Sequence, residues 1–249
     1  MVELGLGEVA LLAGAGFLAG AVNAVAGGGS LISFPALLAV GYPSVTANVT
    51  NSVAVLPGYL GGSLGYRREL RGQRGRAVAL AVTSAAGAAA GAALLLLGSE
   101  QTFERIVPFL ILFSCALLAA QPAISRMVRR PERENSLRLH VMEFAAAVYG
   151  GYFGAGLGIM LLAVLALSIE DELQRLNALK GLLSMLIGAV AALSFAIFGP
   201  VEWGAAGIMA GTSLLGGQAG VIAARRLPEG VLRAVVVVFG VAVAVVLLA

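Results

Sequence analysis

The chain has 249 residues, 59% of them hydrophobic and 12% charged, with a mean hydropathy of +0.96. Soluble domains carry about 25% charged residues, so this composition excludes a water-facing globule and points to a polytopic membrane protein. The formal charge of +3 is concentrated in arginine clusters that read as topology signals, with no nucleic-acid partner expected.

The N-terminus, Met-Val-Glu-Leu-Gly-Leu-Gly-Glu, is acidic and argues against a cleaved signal peptide. From Val9 to Tyr66 there is no charged residue. A spanning helix needs about 20 apolar residues, so this run is too long for one helix. Gly27-Gly28-Gly29-Ser30, Pro35 and Gly41-Tyr42-Pro43 interrupt it. They predict a first helix, a short second helix ending near Val40 and a third from about Ala47. The first two are either short tilted spans or a re-entrant hairpin. Two ordinary spans follow at Ala77–Leu97 and Ile106–Ile124, and Arg126–Arg138 with Pro131 forms a linker. Phe144–Val201 repeats the plan, broken at Gly154-Ala155-Gly156-Leu157-Gly158 and at the polar Glu170–Arg175 segment. Trp203–Ala224 and the C-terminal apolar segment complete it. The expected organisation is a first repeat over 1–125, a cytoplasmic linker over 126–138 and a second repeat over 139–249.

A constant offset of 129 residues relates the halves. It carries Thr83, Ser84, Gly87, Ala90 and Gly91 onto Thr212, Ser213, Gly216, Ala219 and Gly220. It also carries Gly27 and Gly29 onto Gly156 and Gly158, and Asn48 onto Asn177. Chance identities are common in a chain rich in Ala and Gly, but chance matches would not share one offset. Short basic loops stay in the cytoplasm. That places Arg67–Arg76, Arg126–Arg138 and Arg225–Arg233 inside, and the turns Gly98–Thr102 and Gly199–Glu202 outside. The inside loop Arg67–Arg76 maps onto Ala196–Ala205, which is outside, so the copies are expected to be inverted and both termini periplasmic. The fold class is therefore all-α: a polytopic transmembrane bundle with an inverted repeat and broken or re-entrant helices. Secondary transporters of this kind bind substrate near the bilayer midplane, between the halves.

The candidate site residues follow from the breaks. Gly27, Gly28, Gly29 and Ser30 open a helix inside the membrane, where free amides and the helix dipole favour an anion. Gly156 and Gly158 do the same in the second half. The competing reading is close helix packing by small residues, which is also the reading for Gly14, Gly16, Gly87 and Gly91. Asn48 and Asn51 share one helical face, as do their images Asn177 and Lys180. Lys180 is the only lysine in the chain. At the bilayer centre a lysine costs about 2.5–3.5 kcal/mol, which suits a fixed cation for an anionic substrate. Snorkelling to the interface beside Glu170, Asp171 and Glu172 is the alternative. Glu143 and His140 read as interfacial, Thr83-Ser84 and Thr212-Ser213 as helix-bonding hydroxyls, and Trp203 and Tyr66 as an interfacial belt. One Cys (Cys115) excludes an internal disulfide, and one His leaves no soft-metal cluster. No cofactor, metal or catalytic constellation is expected.

The pattern Gly20-x2-Asn23-x3-Gly27-Gly-Gly-Ser30-x4-Pro35, then Gly41-x-Pro43-x3-Ala47-x2-Thr50-Asn51, resembles the TauE/SafE family of membrane permeases, the sulfite exporter group. The second copy departs from it: Gly156-Leu157-Gly158 replaces the fuller glycine run, and Val164 stands where Pro35 maps. The resemblance implies export of sulfite, a small organosulfonate or a related anion across the bacterial cytoplasmic membrane. An inside-negative potential drives an anion outward by about 2.3 kcal/mol per charge per 100 mV. A proton-coupled carrier of small carboxylates or sulfonates, and a non-transporting membrane scaffold, are the alternatives. The expected partners are a small anionic substrate and the lipid bilayer; a homodimer is left open.

Overall fold

The computed structural model describes residues 4–25, 28–64, 70, 72–126, 136–223 and 229–248. Ten helices fill them, and no strand occurs among the described residues. The first half contains α1 (Leu6–Val25), α2 (Ser30–Ala39), α3 (Ser44–Leu64), α4 (Arg74–Leu97) and α5 (Glu100–Arg126). The second contains α6 (Ser136–Tyr152), α7 (Leu157–Ser168), α8 (Leu173–Phe198), α9 (Trp203–Ala223) and α10 (Glu229–Leu248). α1, α4, α5, α8 and α10 contain windows long and apolar enough to cross a membrane, while α2 and α7 are short apolar helices.

The breaks fall where the glycines and prolines require them. Gly41 follows α2 with φ +98°, a conformation closed to most side chains. Pro43 precedes α3 and accepts the Ala47 amide at 2.7 Å, so α3 starts three residues before the expected Ala47. α6 also begins early: Ser136–Arg138, assigned to the linker, form its first turn.

The repeat is visible in helix starts. α3, α4 and α5 begin at residues 44, 74 and 100, and α8, α9 and α10 at 173, 203 and 229. Each is the offset of 129 later. The short helices slip by two residues, because α7 starts at Leu157 directly after Gly156, whereas α2 starts after Gly29. Packing repeats as well. α1 packs on α9 as α6 packs on α4, and α3 packs on α9 as α8 packs on α4. α3 and α8 pack on each other, and so do α5 and α10. Exchanging the halves converts each of these contacts into another of them.

Lipid is as apolar as leucine, so pairing of these helices depends on close approach rather than on escape from water. Glycines provide it. A Cβ at Gly20 would strike the Ser213 carbonyl, and one at Gly216 the Phe17 carbonyl, which locks α1 to α9. Gly91 against Val148 and Gly151 against Ala88 lock α4 to α6 in the equivalent way. Gly16, Gly87 and Gly91 are thus packing positions as expected. Gly14 is not: it is exposed, with nothing within 4 Å of a Cβ there. Two residues turn a helix by about 200°, which carries Gly14 away from the face used by Gly16.

Candidate functional site

A cavity of about 30 Å³ lies between the two halves, room for about two waters. Ser30, the first residue of α2, and Leu157, the first of α7, both line it. Ser52 and Val55 come from α3, and Ser184 and Gly188 from α8. Val55 and Ser184 are related by the 129-residue offset, so one wall carries a hydroxyl where its counterpart carries a methyl surface. Ser184 is 4% exposed, and its Oγ has no hydrogen-bond partner. A buried hydroxyl without a partner costs about 1–3 kcal/mol, and here it borders the cavity. Phe153 forms another wall, its ring edge-on to Phe34 at 5.6 Å and 86°.

The short helices are positioned by specific contacts. The Gly29 amide donates to Asn23 Oδ1 at 2.8 Å, and a Cβ at Gly29 would strike the Ala19 carbonyl. The space at Gly29 is therefore taken by α1. A Cβ at Gly28 would lie 3.1 Å from Leu118. Gly156 adopts φ +74° as the cap of α7, and the Ala155 carbonyl just before it accepts Tyr149 Oη at 2.6 Å and Ser114 Oγ at 3.0 Å. Gly27 lies outside the described residues.

The polar residues of α3 are buried and committed to structure. Asn48, fully buried, donates from Nδ2 to the Tyr152 carbonyl at 2.9 Å. Asn51 accepts Ser33 Oγ at 2.5 Å. Thr50 Oγ1 accepts the Glu202 amide at 3.0 Å. Asn48 Oδ1 has no partner; it is an acceptor and unsuited to an anion. On α8, Lys180 is half-buried and donates to Asn177 Oδ1 at 3.1 Å. Its stem runs past Gly158, where a Cβ would sit 3.9 Å from both Lys180 Cδ and Ser184 Oγ. Ser30, Gly156, Gly158 and Lys180 thus converge on or beside the cavity, while Asn48 and Asn51 brace its α3 wall. Ser52, Phe153 and Ser184 were not singled out from sequence; Ser184 lies one turn beyond Lys180 on α8, which is the signal that would have found it.

A second polar cluster occupies the start of α4 and α6. Glu143, which the sequence places at the start of a span, is fully buried within the protein. It lies seven residues into α6, about 10 Å along the axis, and Gly87 and Gly91 draw α4 close over it. Ser84 Oγ donates to Glu143 Oε1 at 2.6 Å, and Glu143 Oε2 has no partner. Thr83 Oγ1 and His140 Nδ1 are 2.7 Å apart. Arg76 and Arg175 both bond Asp171, at 3.1 and 2.7 Å. A cavity of about 200 Å³ borders this cluster, lined by Arg76, His140 and Ser168 among others. Thr212 and Ser213 bond backbone carbonyls of α9 and α3, in keeping with their reading as helix-bonding hydroxyls. Trp203, 60% exposed at the start of α9, faces out as a belt residue would, and Tyr66 lies outside the described residues. Among the described residues no group of His, Cys, Asp and Glu is arranged to hold a metal.

The family described as Sulfite exporter TauE/SafE matches residues 12–247. A Haemophilus influenzae protein named "Probable membrane transporter protein" is 27% identical over 244 residues, covering 95% of this chain and 93% of its own. "Probable membrane transporter protein ORF9" of a Sinorhizobium species is 28% identical over 251 residues, covering 100% and 95%. "Probable membrane transporter protein YfcA" of Escherichia coli K12 is 24% identical over 210 residues, covering 82% and 76%. No solved structure matches the chain.

Proposed function

The chain belongs to the TauE/SafE family of membrane transporters, and we propose that it exports a small oxyanion, sulfite or a small organosulfonate, across the bacterial cytoplasmic membrane. One observation carries this reading: two short helices begin at a cavity between the halves that the hydroxyls of Ser30, Ser52 and Ser184 border. Helix starts are positive dipole ends, and broken helices meeting between repeats are how such carriers hold anionic groups. Ser184 Oγ offers an unused donor, and Lys180, one turn away, supplies a full charge. Ser30, Gly156 and Gly158 shape the cradle, and Asn48, Asn51 and Asn177 hold its walls. The cavity is too small for sulfite in this state, so transport requires α3 and α8 to part on one side at a time. The halves have opposite orientation in this reading, with both termini periplasmic.

Two measurements test it. Proteoliposomes of the purified protein should carry sulfite and methanesulfonate at least tenfold faster than empty liposomes; equal rates would reduce the protein to a scaffold. In a Cys115→Ala background, a membrane-impermeant thiol reagent applied from outside should modify Ser99→Cys and spare Ser136→Cys. The opposite pattern would overturn the assigned orientation.

A further inference from the structure

We propose that Glu143 is a proton-binding site that couples anion transport to proton movement, with His140 and the 200 Å³ cavity as its access route. The inference rests on the transport reading above and deepens it. Burying an ionised carboxylate is costly unless it is paired and hydrogen-bonded. Glu143 is fully buried, accepts one hydrogen bond, from Ser84, and leaves Oε2 without a partner. A carboxyl that binds a proton at Oε2 removes that charge, and one that releases it restores the charge.

The surrounding charges leave the acid uncompensated. α6 packs against α4, α7 and α8. α7 carries no charged residue. On α4, Arg76 bonds Asp171, and Arg74 lies farther out on an exposed position. On α8, Arg175 bonds the same Asp171 and Lys180 bonds Asn177. On α6 itself, Arg138 is exposed one turn or more before Glu143. None of these cations bonds Glu143.

A cavity lies near the acid, with polar side chains between them. His140 precedes Glu143 by three residues and therefore shares its helix face. It lines the cavity and meets Thr83, while Glu143 meets the adjacent Ser84. His140 thus stands on the cavity side of the same helix face as Glu143. The cavity of about 200 Å³ holds several waters, and the Ser168 hydroxyl beside it has no partner.

The test uses methanesulfonate, a strong-acid anion that carries no proton itself, so pH changes report protons moved by the protein. Wild-type proteoliposomes with a lumenal pH dye and a clamped membrane potential should change pH in proportion to methanesulfonate flux. Glu143→Gln should lower the pH change per sulfonate at least tenfold. In pH-difference infrared spectra the same variant should lack a carboxyl C=O band present in the wild type. His140→Gln should keep the band and slow the proton movement several-fold. Should Glu143→Gln not fold, a shift of that band in Ser84→Ala assigns it instead. A Glu143→Gln variant with wild-type proton flux and an unchanged spectrum would overturn the proposal, as would the absence of any Ser84-sensitive band. If the wild type carries neither sulfite nor methanesulfonate but the band titrates, the proton site stands and the anion reading fails.

Discussion

Lys180→Met is expected to reduce sulfite and methanesulfonate flux in proteoliposomes about 10²- to 10³-fold, close to the empty-liposome rate. A unit charge about 4 Å from an anion contributes about 4 kcal/mol at an effective dielectric of 20, and each 1.4 kcal/mol is tenfold in binding. Methionine matches the length of the lysine stem and keeps the contact with Gly158. It removes the ammonium and leaves Asn177 Oδ1 without its donor. Folding should change little, because a half-buried charge is removed rather than introduced. Lys180→Arg should keep part of the activity with altered preference among oxyanions, since a planar fork replaces a point charge. A lysine that only snorkels to the interface predicts parent-like transport in both variants. Equal flux in Lys180→Met would leave the two helix starts and Ser184 as the whole anion site.

The breaks in the apolar runs were legible because they rest on local chemistry. Gly41 needs its positive φ, Pro43 starts α3, and Gly154 and Gly156 both adopt the left-handed conformation. The offset of 129 was legible because glycines and helix starts repeat together. What a side chain meets across a helix pair was not. Asn48 and Asn51 read as ligand donors, yet their partners are the Tyr152 carbonyl and Ser33, which only tertiary packing brings near. Glu143 read as interfacial because it stands at the start of a span, and that position does not reveal that it is buried within the protein. Its burial depends on α6 beginning at Ser136 and on Gly87 and Gly91 admitting α4.

The two halves share positions but not chemistry. Asn51 bonds Ser33 inside the first half, while its image Lys180 carries the chain's single lysine ammonium, bonded to Asn177, with its stem near Gly158. Val55 is apolar where Ser184 offers a hydroxyl. α2 is held at Gly29 by Asn23 and α1, whereas α7 hangs on a left-handed glycine. The cavity lies between the halves, and the charge and the unpartnered hydroxyl proposed for the anion, Lys180 and Ser184, both come from the second.

That asymmetry makes Gly156 the most sensitive backbone position. Its φ of +74° is open to glycine, tolerated by asparagine and strongly disfavoured for a β-branched residue. Forcing such a conformation costs about 1–3 kcal/mol. Gly156→Val relieves the strain by moving the turn that sets the start of α7, and with it Leu157 at the cavity wall. Misplacing a binding group by about 1 Å is enough to cost roughly 10²-fold. Gly156→Val should therefore lower anion flux about 100-fold. Membrane insertion should survive, because the long apolar helices that drive it are unchanged. Gly156→Asn, which accepts the left-handed conformation, should retain a substantial part of the flux. Near-parent transport by Gly156→Val would mean that the left-handed turn does not position α7 and that the anion is held elsewhere.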